Sequence, residues 1–144
     1  SEQSYRPWRA YGQSKLANLL FTFELQRRLA ASGAGAVSTA AHPGVSDTNL
    51  ACSTGGIAGK LMSFTKPVAK LFTQDSTRGA LPTLRAAVDP AVSGGEYFGP
   101  DGFMEQRGHP HQVKASDAAN DQLVAARLWD VTVELTGVPF DALS

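Results

Sequence analysis

Two side chains four residues apart are the first candidates for chemistry: the phenol of Tyr11 and the ammonium of Lys15, in the run Tyr11-Gly12-Gln13-Ser14-Lys15. On a helix, positions i and i+4 share one face and lie within reach of each other. A phenol has an ordinary pKa of about 10, and a cation within ~4–6 Å lowers that of an acid by ~1–3 units. Lys15 is therefore expected to bring Tyr11 into range as a proton donor or acceptor near neutrality. Such a general acid–base group contributes ~10²–10⁴-fold to a rate. The same spacing also describes an ordinary stacked surface pair, so the surrounding elements have to decide.

Those elements are readable. From Ala10 to Ala31 there is no Gly or Pro after Gly12, and Leu16, Leu19, Leu20 and Phe23 recur at helical spacing, which predicts a long helix. Arg27 and Arg28, followed by Gly33 and Gly35, supply a basic last turn and a permissive backbone to end it. Ala36 to Ala41 is short and small, as in a strand buried on both faces of a parallel sheet, and the chain must turn at His42-Pro43-Gly44. Val45 to Gly59 is a polar loop too long for a simple connector and is expected to be a lid. An amphipathic helix broken by Pro67 is expected over Ala58 to Phe72. Another is capped at Asp75-Ser76-Thr77 and runs to about Val88, ending at Asp89-Pro90. A very short strand over 95–100 and an irregular segment follow. A last helix is then capped by Ser116 or Asp117 and runs to Leu135, with Leu123, Val124, Ala126, Arg127, Leu128 and Val131 as its apolar stripe. This order is α/β with two credible strands. Unpaired buried backbone groups cost ~1–3 kcal/mol each, so further partner strands are expected to lie outside the chain.

Composition narrows the function classes. In 144 residues, thirteen Lys plus Arg balance thirteen Asp plus Glu, so no net field favours nucleic acid or an anionic membrane. No run approaches the ~18 consecutive apolar residues of a membrane span, and no signal peptide is evident. The single cysteine, Cys52, excludes an internal disulfide and fits a reducing, cytoplasmic setting. Weaker motifs read as scaffold. Gly55 to Gly59 encloses three residues where a phosphate loop needs four, and Leu61 follows Lys60 where Ser or Thr is required. His109-Pro110-His111 reads as a surface loop, since no Cys or carboxylate cluster completes a metal site. His42 reads as a satisfied, half-buried imidazole rather than a catalytic one, and Trp129 as core or interface packing.

Tyr11 to Asn18, followed by a helix, a strand and His42-Pro43-Gly44-Val45-Ser46-Asp47-Thr48, resembles the short-chain dehydrogenase/reductase family from its Tyr-x-x-x-Lys onward. Gly94-Gly95-Glu96-Tyr97-Phe98-Gly99-Pro100-Asp101-Gly102 and Arg127-Leu128-Trp129 resemble the subgroup of retinol dehydrogenases, protochlorophyllide reductases and WW-domain oxidoreductases. The resemblance implies a doubly wound parallel-sheet (Rossmann-like) fold and an oxidoreductase that interconverts an alcohol and a carbonyl with NAD or NADP. It implies that Tyr11 exchanges a proton with the substrate oxygen, while Lys15 tunes Tyr11 and binds the nicotinamide ribose. Pro43, Gly44 and Val45 would lie against the nicotinamide, with Thr48 beside its carboxamide or the pyrophosphate. Residues 49–72 would bind a small or lipophilic substrate.

The family's glycine-rich first turn and the Asn and Ser that precede its Tyr have no counterpart in the ten residues before Tyr11. Residues 1–144 are therefore expected to be the catalytic and substrate-binding part of one Rossmann-like domain, incomplete here and inactive alone. The competing expectation is a non-catalytic remnant or interaction module that keeps part of the fold. Apolar residues on more than one face of the Tyr11–Ala31 helix (Leu16, Leu19, Leu20, Phe21, Phe23, Leu25) also suit a homo-oligomer.

Overall fold

A 26-residue helix, α1, runs from Pro7 to Ser32 in the computed structural model, which describes residues 6–44 and 75–140. It starts three residues before the expected Ala10. Pro7 suits the first turn because its ring presets φ and its missing N–H would have no partner there. The helix ends as expected at Gly33, which is left-handed at φ 69°. The N–H groups of Gly33 and Ala34 return to the carbonyls of Ala30 and Leu29, closing the helix end. Arg27 and Arg28 do not serve that last turn. Both reach back to Glu24, Arg27 Nη2 at 2.6 Å and Arg28 Nε at 2.8 Å. A buried carboxylate needs such partners, because removing its charge from water without them is costly.

The described chain forms two compact units, Ser1–Ala40 with Val92–Glu96 and Lys114–Ser144, and Ala41–Ala91 with Tyr97–Val113. In the first, α1 packs against a 3₁₀ turn at Asp117–Asn120 and a helix, α3, at Gln122–Thr136. Leu20, Ala119, Ala125 and Trp129 are buried there. The Trp129 ring stacks on Phe21 at 5.3 Å, meets Phe140 at 4.9 Å and carries the Arg28 guanidinium 4.5 Å above it. Two expectations for this region are corrected. Asp121, rather than Ser116 or Asp117, caps α3, its Oδ1 accepting the N–H groups of Leu123 and Val124. The packed face carries Ala125 and Trp129, and Leu123, Val124 and Val131 of the expected stripe are exposed. Ala125 and Trp129, four residues apart, share the face of α3 that packs on α1, where Trp129 meets Phe21.

In the second unit, a helix, α2, at Ser76–Val88 packs against two strands, β2 at Tyr97–Pro100 and β3 at Pro110–Gln112. Gly79 and Pro82 form its buried face. Arg85 fixes the packing, with Nη1 on the Pro110 carbonyl at 2.7 Å and its guanidinium over the ring of buried Phe98. Asp75 is the N-cap residue as expected, although its carboxylate accepts from the Ser76 hydroxyl and not from the helix backbone.

Among the described residues the sheet has three strands in the order β1-β2-β3, with β1 only Ala40–Ala41. Ala40 and His42 donate to Glu96 and Phe98, stepping in the same direction, so β1 and β2 run parallel. A parallel pair needs a crossover, and α2 lies in that connection. β3 pairs antiparallel with β2 in the register Phe98 with Gln112 and Pro100 with Pro110. Against the two strands expected, the described residues form three, and among them His109-Pro110-His111 is largely an edge strand rather than a loop. Proline fits there because an edge position needs no donor on its outer side. The α/β class with a parallel core pair is that of part of a Rossmann-like domain. The expected lid and the helix over 58–72 lie outside the described residues. No described helix is long and apolar enough to cross a membrane.

Candidate active site

Tyr11 and Lys15 sit in the first turns of α1, and both are exposed. The Lys15 Nζ stands 5.3 Å from the centroid of the Tyr11 ring, so the side chains share a face as the spacing requires. Trp8 meets the Tyr11 ring edge-on at 6.4 Å. Ser14, inside the same motif, is committed to the helix, its hydroxyl donating to the Tyr11 carbonyl at 2.7 Å. Among the described residues, neither the Tyr11 hydroxyl nor the Lys15 ammonium has a hydrogen-bond or ion-pair partner. A phenol O–H and an ammonium on one open face fit a ligand with hydroxyl or carbonyl oxygens, the donor set that a ribose diol and a reacting alcohol would use.

Pro43 and Gly44 belong to the other unit, directly after β1. Gly44 is left-handed at φ 68°, and a Cβ there would lie 2.5 Å from the Gln106 carbonyl oxygen and 2.8 Å from Pro100 Cγ. The turn is held from both sides of His42. The Gly44 N–H donates to Nδ1 at 3.3 Å, and Nε2 lies 3.2 Å from Glu105 Oε2. The ring also tilts against Tyr97 at 5.2 Å. His42 is therefore the satisfied, half-buried imidazole that its position suggested. Val45, Thr48 and the proposed substrate region 49–72 lie outside the described residues.

Glu105 is the residue that sequence reasoning passed over. It sits in a 3₁₀ turn at Phe103–Glu105, where Met104 and Glu105 both take positive φ, 51° and 56°. Non-glycine residues in that region cost roughly 1–2 kcal/mol each. Such strain persists only where the surroundings over-determine it. The flanking Gly102 and Gly108 marked the segment as irregular, but nothing local to it pointed to His42, 63 positions away. No group of His, Cys, Asp or Glu suited to a metal ion occurs among the described residues.

One group near the sheet has a displaced acidity. Partial burial pushes the Glu96 carboxyl up, but hydrogen bonds from the Ser93 N–H and hydroxyl, the Gly94 N–H and its own N–H outweigh it. The net is below the ordinary glutamate range. These contacts pin the tight loop that leads into β2.

No protein-family model matches the sequence. Among proteins of known name, human retinol dehydrogenase 13 is 38% identical over 140 residues, 94% of this chain. Human polyprenol dehydrogenase is 32% identical over 96% of the chain. The short chain dehydrogenase/reductase dpmpH of Macrophomina phaseolina is 35% identical over 85% of it. The chain is homologous to short-chain dehydrogenases/reductases. It resembles the retinol dehydrogenase subgroup, as its motifs implied. A crystal structure of an uncharacterized protein from Mycobacterium paratuberculosis matches 95% of the chain at 39% identity with a TM-score of 0.69. The chain spans 39% of the length of the two human relatives, 56% of dpmpH and 42% of the mycobacterial protein.

Proposed function

We propose that the protein containing this chain is an NAD(P)-dependent oxidoreductase that interconverts an alcohol and a ketone or aldehyde. In this reading residues 1–144 supply the catalytic and substrate-binding part of a Rossmann-like domain. The observation that carries the reading is the Tyr11–Lys15 pair on one exposed helical face, in a chain whose relatives are dehydrogenases. When bound, the nicotinamide supplies the hydride acceptor or donor.

The remaining steps belong to this chain. In the oxidative direction the Tyr11 oxygen takes the proton of the substrate hydroxyl as the carbinol carbon gives up its hydride, and in the reductive direction it returns that proton. Lys15, on the same helical face, donates to the ribose hydroxyls. Pro43 and Gly44, with Val45, supply backbone against the nicotinamide, and Thr48 supplies a hydroxyl. Residues 49–72 receive the substrate, for which Leu50, Ile57, Leu61, Met62 and Phe64 suit a lipophilic compound. The lone cysteine suits a reducing, cytoplasmic setting, and pairing through the Tyr11–Ala31 helix suits a homo-oligomer.

The test is a hydride-transfer assay on the native protein that contains this chain. Alcohols and carbonyls of increasing apolar length are supplied with NAD, NADP and their reduced forms, and absorbance of the reduced nicotinamide is followed. Turnover with at least one pair is expected, together with none by the isolated 144-residue chain. Absence of turnover and of cofactor binding by the native protein would refute the reading.

A further inference from the structure

We infer that His42 is a positioning residue: its Nδ1 holds the Gly44 backbone N–H, and Glu105 selects the ring tautomer that allows it. A neutral imidazole has one N–H and one lone pair. Because the Gly44 N–H points at Nδ1, that atom must carry the lone pair, which leaves the ring proton on Nε2, 3.2 Å from the Glu105 carboxylate. The opposite tautomer would lose both contacts at once, with N–H facing N–H and a lone pair facing a carboxylate. A second-site carboxylate fixing the tautomer of a working imidazole is a familiar use of such a pair. Here the imidazole orients backbone instead of transferring a proton.

The surroundings are built for that ring. A Cβ on Gly99 would overlap His42 Nε2, so the strand leaves the space that the imidazole fills. Glu105 reaches it from a turn whose left-handed backbone, at Met104 and Glu105 itself, is otherwise unfavourable. A side chain on Gly44 would in turn meet Gln106 and Pro100. The backbone after β1 is thereby held in one conformation. That this backbone serves the nicotinamide rests on the function proposed above, while the tautomer and the Gly44 contact do not.

The experiment has two arms on the native protein. Nitrogen-15 NMR of the His42 ring is expected to show an unprotonated Nδ1 and a protonated Nε2. Glu105→Ala is expected to give a mixture of tautomers, and Glu105→Gln, which keeps an acceptor, to preserve the original one. Hydrogen exchange at the Gly44 amide separates the two ring nitrogens. His42→Asn places an acceptor where Nδ1 stood and should retain protection. His42→Gln places its amide nearer Nε2 and should lose at least about 5-fold, the effect of one hydrogen bond. The Michaelis constant for the nicotinamide cofactor should rise in His42→Gln and recover in His42→Asn, with kcat changed less. A protonated Nδ1 in the unsubstituted protein, or equal Gly44 exchange in the Asn and Gln variants, would overturn the inference even if the variants prove unstable. Absence of cofactor binding by every form would instead count against the proposed function and leave the ring and amide results to decide this inference.

Discussion

At the start of α1, Tyr11 and Lys15 stand exposed, with polar atoms uncommitted to any described residue. At the turn after β1, by contrast, the Gly44 N–H and both His42 ring nitrogens are engaged. The phenol draws its rigidity from a distance. No described residue grips its tip, yet it rides on a helix whose later turns are held by Trp129 stacking on Phe21 and stiffened by the Glu24 ion pairs within the helix. The turn draws its rigidity locally, from hydrogen bonds and from glycines that leave no slack. The difference is what a proton-exchanging group and a backbone platform each require. The first must keep its polar atom free for a ligand, and the second must spend its polar atoms on being fixed.

Removing the remote support should have the largest effect. Trp129→Ala is expected to cost ~3–5 kcal/mol in denaturant unfolding, since it deletes a buried aromatic and the partner of Phe21, Phe140 and Arg28. A loss below 1 kcal/mol would mean that α1 is not held by α3. Lys15→Met comes next and should separate function from stability. Hydrogen bonds to charged groups are worth about 1.5–3 kcal/mol, so kcat/KM of the native protein should fall roughly 10- to 100-fold while the unfolding midpoint stays put. An equal fall in stability would make Lys15 structural.

Breaking the local support calls for Gly99→Ala. The added methyl collides with His42 and should destabilise by ~1–3 kcal/mol, with shifted His42 and Gly44 resonances. The smallest effect concerns Glu96. Its folded carboxyl titrates below its unfolded value of about 4.3, so the stability it contributes is complete above that pH and is lost as pH falls through the lower folded value. Glu96→Gln should flatten the acid side of the stability profile in that window without touching the neutral region.

Much of this arrangement was legible in the residues. The α1 and α2 helices carry long periodic patterns with Gly33 and Asp89 as stops, and β2 is bracketed by glycines, so local physics names them. Tyr11 and Lys15 stand out by type and spacing as candidates, and Pro43 and Gly44 only through the resemblance to short-chain dehydrogenases/reductases. What escaped has a common cause in tertiary context. β3 is three residues long and contains proline, so its strand identity comes from pairing with β2 rather than from propensity. The buried face of α3 is set by its packing on α1, where Trp129 meets Phe21, and that contact leaves Leu123 and Val124 exposed. Glu105 meets His42 across a long stretch of chain, and no periodicity encodes a contact between two distant side chains.

The most direct test of the central claim is Tyr11→Phe in the native protein, with kcat, cofactor affinity and unfolding midpoint measured together. Tyr11 is 47% exposed, and removing one surface hydroxyl should leave stability within ~0.5 kcal/mol. The account predicts a ~10²–10⁴-fold fall in kcat with cofactor binding retained. A variant that turns over within twofold of the unsubstituted protein would contradict it.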